Sequence, residues 1–289
     1  MGVVNRAVAP PWSIWTDHTD TIAQRDTGWI QFYGESNQEV LDTTLMAFRV
    51  AEHPEVRLPA MVTEDAFYLS HTVEPVDIPS QEEVDRFLPP RELSSTLQVG
   101  TGMRLGSFTG PDLYMEFRHK IARAMERARD VFLEIEDDYA RLTGRNHGGL
   151  LPTYRADDAD TVLVTMGTAT TTARGVVDAM RADGHRVGLA KLRAFRPFPV
   201  QELRDLASDV DRIGVLDRSF TFGAAGAAFT EVAGALYSAP QRPVLRDFVA
   251  GLGGRDVTSV TVREAFLDLL TRDAPESQWV ELKSRTEVP

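Results

Sequence analysis

The residues best suited to chemistry cluster early, in the stretch Asn5 to Asn37, NRAVAPPWSIWTDHTDTIAQRDTGWIQFYGESN. It leaves an apolar pair, Val3 and Val4, and gathers Pro10, Pro11, Trp12, Trp15, Asp17, His18, Asp20, Arg25 and Gly28 into one connection. Arg6 carries the clearest potential. An arginine just past the carboxyl end of a parallel strand stands where open α/β sheets bind ligands, and its planar fork suits two-point capture of a carboxylate. A surface or helix-capping arginine is the competing role. Asp17, His18 and Asp20 have the chemistry of metal ligands, but all three fall within a short piece of loop, and His71 and His119 are remote and lack ligand spacing. No metal site is expected from them. No G-x-S-x-G elbow supports a serine nucleophile.

Two glycine-marked turns are weaker candidates. Gly167, between TVLVTM and TATTTAR, could present free backbone N–H groups to an anion at a helix N-terminus, or only cap that helix. In LDRSFTFGAAGAAFTE, residues 216–231, Gly223 and Gly226 allow close backbone approach to a ligand phosphate or to another subunit.

The rest of the chain has to position these groups. Its 289 residues suffice for two ordinary domains, and 43% apolar with 26% charged residues is the balance of a soluble globular protein. No apolar run is long enough to cross a bilayer, and MGVVNRAVAPP lacks the features of a signal peptide, so a cytoplasmic protein is expected. A formal charge of -12 argues against nucleic-acid binding. The absence of cysteine excludes disulfides, thiol nucleophiles and cysteine-held iron–sulfur clusters on this chain.

Periodicity predicts a strand end at Val3–Val4, a helix over 37–52 with Asn37 as N-cap, and a buried strand over 58–63. Residues 70–112, punctuated by Pro89, Pro90, Gly100, Gly102, Gly106 and Gly110, read as a long loop, either an interface or a linker. A long helix follows from Asp112 to about Leu142, with an apolar stripe through Phe117, Ile121, Met125, Ala128, Phe132, Ile135, Tyr139 and Leu142. Past a Gly- and Pro-marked boundary at 145–158, strands at 161–166, 187–192, 212–216 and 244–249 alternate with helices at 169–182, 200–207, 226–237 and 260–271. That alternation predicts a parallel sheet covered on both faces.

Taken together, NRAVAPPWSIWTDHTD, QRDTGWIQFYGESNQEVLDTTLMAFRVAE, SHTVEP, RFLPP, PDLYMEFR, ADTVLVTMGT, KLRAFRPFP, VLDRSFTFG and FVAGLGGRDVT resemble the α subunit of pyruvate:ferredoxin oxidoreductase and related 2-oxoacid:acceptor oxidoreductases. The resemblance spans nearly the whole chain. It implies an α/β protein: an incomplete thiamine-pyrimidine-binding domain, with a long connecting loop and helix, over residues 1–145, then a transketolase C-terminal-like parallel α/β domain over 146–289. It further implies oxidative decarboxylation of pyruvate or a related 2-oxoacid to acyl-CoA. The cofactor would be thiamine diphosphate with Mg2+, bound mainly by a partner chain. The implied partners are β, γ and δ type subunits that carry the iron–sulfur clusters, together with ferredoxin, the 2-oxoacid and CoA.

Residue by residue, Arg6 matches the arginine that binds the substrate carboxylate, and Trp12 and Ile14 fall near apolar residues that wall the pocket. Phe67 is similarly placed at a strand end facing the cofactor. Relatives often carry a smaller aliphatic residue at the Trp12 position, so its ring would narrow the pocket or stack on a flat substrate. The family's Pro-x-Thr-Pro turn and the glutamate that hydrogen-bonds the aminopyrimidine ring have no counterpart here. No catalytic residue is therefore expected on this chain. A split subunit, a truncated one, or a noncatalytic assembly subunit would each account for that.

Overall fold

The computed structural model describes residues 1–91, 96–97, 99–103, 106, 108–271 and 275–284. The first half contains β1 (Gly2–Asn5), α1 (Thr19–Ile22), β2 (Ile30–Tyr33), α2 (Asn37–Glu52), β3 (Ala60–Asp65), α3 (Gln81–Phe87) and α4 (Pro111–Thr143). The second contains β4 (Thr153–Tyr154), β5 (Thr161–Thr165), α5 (Ala169–Ala182), β6 (Val187–Lys191), β7 (Ala194–Arg196), α6 (Val200–Asp209), β8 (Arg212–Asp217), α7 (Ala227–Leu236), β9 (Val244–Val249), α8 (Ser259–Leu270) and β10 (Ser277–Trp279).

The first sheet has the order β1-β3-β2-β7. Its first three strands are parallel, and β7 joins β2 in the antiparallel sense, with Ala194 opposite Phe32. The edge strand is thus supplied by a segment that follows the start of the second sheet. Sequence reading gives a single strand over 187–192 and misses β7, a three-residue strand that follows β6 after only Leu192 and Arg193. Helices α2 and α4 cover this sheet, and Phe132 stacks on Phe32 with ring centroids 4.4 Å apart. Only the later part of the α4 stripe is buried, from Ala128 to Tyr139; Phe117 is half exposed.

Three local expectations are corrected. The N-cap of α2 is Ser36, whose Oγ accepts from the Glu39 N–H, and Asn37 is the first helical residue. Strand β3 starts later than Leu58 because Pro59 has no N–H for the ladder; its carbonyl instead accepts from Ile30 N at 2.8 Å. The stretch 70–112 is not all loop, since Ser80 and Glu83 close a reciprocal capping box that starts α3. Residues 92–95, 98, 104–105 and 107 of that stretch lie outside the described residues.

The second sheet has the order β10-β9-β8-β5-β6-β4, parallel except for β4. Successive side chains of a strand point to opposite faces. Accordingly Val162 and Val164 pack with Leu203 and Val232 of α6 and α7, whereas Leu163 packs with Val177 and Phe266 of α5 and α8. Both faces are covered, as the continuous apolar strands predict. Among the described residues, no helix is long and apolar enough to cross a membrane.

Gly226 serves close packing here, on two carboxylates of its own domain. A methyl group at Gly226 would lie 2.3 Å from Asp217 Oδ2 and 2.6 Å from Asp247 Oδ1. Phe229 N donates to Asp217 and Gly226 N to Asp247, each at 2.8 Å, so the pair holds the first turn of α7. Burial, and then the neighbouring Asp247 carboxyl, push the Asp217 carboxyl up to about 7. The folded protein therefore takes up a proton that the unfolded chain releases near the ordinary aspartate value of about 4. This contribution to stability is present in full below that value and is lost as pH rises towards 7, by at most about 4 kcal/mol. Thermal melts of Asp217→Asn should thus gain on the natural protein between pH 5 and pH 8; a pH-independent difference would contradict a raised Asp217 carboxyl.

Candidate active-site loop and domain junction

Arg6 is the first residue beyond β1, at the carboxyl end of a parallel strand. Its backbone is pinned, since Arg6 N donates to Asp20 Oδ2 at 2.8 Å and Asn5 Nδ2 to Asp20 Oδ1 at 2.7 Å. Thr21 Oγ1, which accepts from Asn5, continues this chain to the Tyr33 hydroxyl at 2.8 Å. The Arg6 side chain is exposed. The strand end thus has a rigid root and an outward guanidinium, the arrangement needed to meet an anion arriving from outside the chain.

From Arg6 the chain makes a loop closed by Ala7 N donating to Trp15 O at 2.9 Å. Trp12 projects from it, 85% exposed, and Ile14 is 39% exposed. Phe67 stands just beyond β3 in the left-handed backbone region, at φ 67°. Its ring lies 4.2 Å from Trp15 and 4.6 Å from His71, centroid to centroid. Of the expected wall residues, then, Phe67 is built into an aromatic stack, while Trp12 and Ile14 face outward on the loop. Trp15 is the ring the sequence reading left without a role.

Asp17, His18 and Asp20 go to separate partners. Asp17 accepts from Thr19 N at 3.0 Å and Gly253 N at 3.1 Å, Asp20 holds the Arg6 backbone, and His18 Nε2 meets Asp65 Oδ1 at 2.8 Å. Asp65, the last residue of β3, is the hub. Its Oδ2 accepts from Arg218 Nη1 at 2.6 Å, from Thr168 N at 3.0 Å and from the Thr168 hydroxyl. Burial alone would raise this carboxyl, but Arg218 and His18 outweigh it and hold it well below the usual carboxylate range. An ionised Asp65 can only accept, so His18 Nε2 carries a proton. The anion at the start of α5 is therefore the protein's own. Gly167, at φ 61°, keeps that approach open, because a methyl group there would lie 2.9 Å from His18 Nε2 and 3.0 Å from the Asp65 oxygens.

Two profiles match the chain. One, described as pyruvate flavodoxin/ferredoxin oxidoreductase, thiamine diphosphate-binding, matches residues 1–137; the other, the pyruvate:ferredoxin oxidoreductase core domain II, matches residues 159–262. Pyruvate synthase subunit PorA of Methanothermobacter thermautotrophicus is 43% identical over 99% of this chain and 73% of its own length. The chain belongs to the 2-oxoacid:ferredoxin oxidoreductase family. Ketoisovalerate oxidoreductase subunit VorA of Pyrococcus horikoshii is 47% identical, over 92% of this chain and 67% of its own. The chain thus spans about two thirds to three quarters of these relatives. A 2-oxoglutarate:ferredoxin oxidoreductase from Magnetococcus marinus has the same fold, with a TM-score of 0.59 at 13% identity, covering 93% of this chain and 48% of that one.

The thiamine diphosphate-binding domain of the oxidoreductase family is therefore present over residues 1–137. The fit of the cofactor to this chain alone is incomplete. The Trp15–Phe67 stack offers an aromatic wall, but Asp17, Asp20 and Asp65 are all bonded to groups of the protein itself. Among the described residues, no three His, Asp or Glu side chains converge where a metal-bound diphosphate would need them. Sequence reading singled out Arg6 as a candidate but not the Asp65–Arg218 pair, whose members stand 153 positions apart.

Proposed function

We propose that this chain is a partial or split α subunit of a thiamine diphosphate-dependent 2-oxoacid:ferredoxin oxidoreductase, in which it supplies the carboxylate clamp and part of the pocket wall. The observation that carries this reading is the rigidly rooted, outward Arg6 at the carboxyl end of β1, flanked by a loop bearing Trp12 and Ile14. Arg6 grips the carboxylate of pyruvate or a related 2-oxoacid. Trp12 and Ile14 close over its apolar part and exclude water, and Phe67 with Trp15 forms the wall against the cofactor ring.

Thiamine diphosphate with Mg2+ is shared with, or bound mainly by, a partner chain, and the iron–sulfur clusters belong to partner chains of β, γ and δ type. CoA accepts the acyl group and ferredoxin the electrons. The open edge of β1 supports an incomplete first domain. Beside it lies a hollow of about 690 Å3 whose lining includes Trp29, Ala47, Phe48, Leu58 and Val62, suited to further elements of that domain. The domains divide at residues 145 and 146 in this reading, with β7 lent back to the first sheet.

The test is purification of the chain from its native cells with whatever binds it. Iron, sulfide and thiamine diphosphate in the complex, with CoA-dependent oxidation of a 2-oxoacid, are the expected result. A cofactor-free complex without turnover would overturn the enzymatic reading and favour an assembly role.

A further inference from the structure

The loop bearing Arg6 is fastened to the second domain as well as to its own. His18 N donates to Arg218 O at 2.9 Å, Gly254 N to Thr16 O at 2.6 Å, and Gly253 N to Asp17 Oδ2 at 3.1 Å. Gly254 has φ 79° and packs so closely on Trp15 that a methyl group would lie 2.4 Å from Trp15 Cβ. Tyr68, beyond β3, donates to Asp256 at 2.6 Å. At the centre stands Asp65, buried, bonded to His18 on the loop side and to Thr168 and Arg218 on the second-domain side. Nothing in the chemistry of a small-molecule site requires a carboxylate with that many internal partners. A junction that must hold a loop at one height between two domains does.

We propose that Asp65 is a positioning residue: by joining His18 to Arg218 and Thr168 it seats the 6–18 loop against the second domain and so sets where the Arg6 guanidinium lies. This rests on the reading of Arg6 as the carboxylate clamp. Asp65 itself touches no substrate. A neutral amide of the same size at this position leaves Arg218 buried opposite an uncharged group, and the loop is released from its seat. The root of Arg6 at Asp20 persists, so the guanidinium is displaced but not lost. A shift of about 1 Å in a substrate-positioning group costs up to about 100-fold in rate.

The experiment uses the assembled complex with the natural chain, Asp65→Asn, Arg6→Ala and the double variant. Two quantities are read: kcat/KM for the 2-oxoacid, and hydrogen exchange of peptides covering residues 7–18 and 253–254. Asp65→Asn should speed exchange in both peptides at least tenfold and lower kcat/KM by up to about 100-fold. Arg6→Ala should lower kcat/KM with exchange unchanged. The double variant should be no worse than Arg6→Ala, because Asp65 acts through Arg6.

Unchanged exchange in Asp65→Asn, or losses that multiply in the double variant, would overturn the proposal. If Arg6→Ala leaves kcat/KM intact, the clamp reading falls, and the exchange data decide by themselves whether Asp65 anchors the loop. Should Asp65→Asn fail to fold, Thr168→Val removes one donor to the same carboxylate. It should give the same two effects, each at least threefold, and natural behaviour in both would count against the proposal.

Discussion

Replacing Arg6 with alanine is expected to lower kcat/KM for the 2-oxoacid by about 100-fold while leaving the melting temperature of the complex almost unchanged. The size follows from removing two hydrogen bonds to a charged group, together about 3 kcal/mol, and tenfold in rate corresponds to about 1.4 kcal/mol. The selectivity for function over stability follows from the geometry. Among the described residues, Arg6 is held through its backbone N–H on Asp20, and its side chain is exposed. Exposed substitutions of this kind change stability by about 0.5 kcal/mol or less. Lysine at position 6 should recover only part of the loss, since a point charge replaces a planar fork. Steady-state kinetics with calorimetry on the same preparations check both halves; equal losses of stability and activity would make Arg6 a structural residue.

The largest effect on stability is expected at Arg193. This side chain is fully buried between the two sheets, with Nε 2.9 Å from Glu39 Oε1, Nη1 on Glu136, and Nη2 donating to Thr43 Oγ1 at 3.0 Å. Lys191, also buried, pairs with Glu39, and Arg174 reaches Glu35 at 2.8 Å. Burial would raise the Glu39 carboxyl, but Lys191 and Arg193 outweigh it and pull it down to about 2. That contribution is present above the ordinary glutamate range and is lost as pH falls from about 4 towards 2. Arg193→Ala leaves the buried Glu136 with only the backbone donors of His147 and Gly149 and removes half of the Glu39 pairing. Removing one partner of a buried ion pair costs about 3–5 kcal/mol. Denaturant unfolding at neutral pH should show a loss of that order, and a change below about 1 kcal/mol would contradict it.

The centre of the second domain was legible because β5, β6 and β8 are buried on both faces. TVLVT, VGLAK and RIGVLD announce themselves as apolar runs with helices between. The long α4 was equally plain from its stripe and from Gly144, which ends it at φ 74°. Arg6 could be placed at a strand end from Val3 and Val4 alone. The polar junction could not be read in the same way. Asp65, His18, Thr168 and Arg218 each look like ordinary surface residues locally, and only the packing of two sheets makes them neighbours. Strand β7 was hidden for a related reason, since local propensity cannot tell that Ala194–Arg196 crosses to the other sheet. The capping box at Ser80 and Glu83, by contrast, was present in the sequence as S-x-x-E but lay amid prolines and glycines.

The proposed role of this chain is to grip the 2-oxoacid inside an assembled oxidoreductase. The most direct test measures 2-oxoacid- and CoA-dependent reduction of ferredoxin by this chain with thiamine diphosphate and Mg2+, by its partners alone, and by the reconstituted complex. Turnover only in the reconstituted complex is the result predicted. Turnover by the chain alone would contradict the dependence on partner chains, and full turnover by the partners alone would remove this chain from the active site.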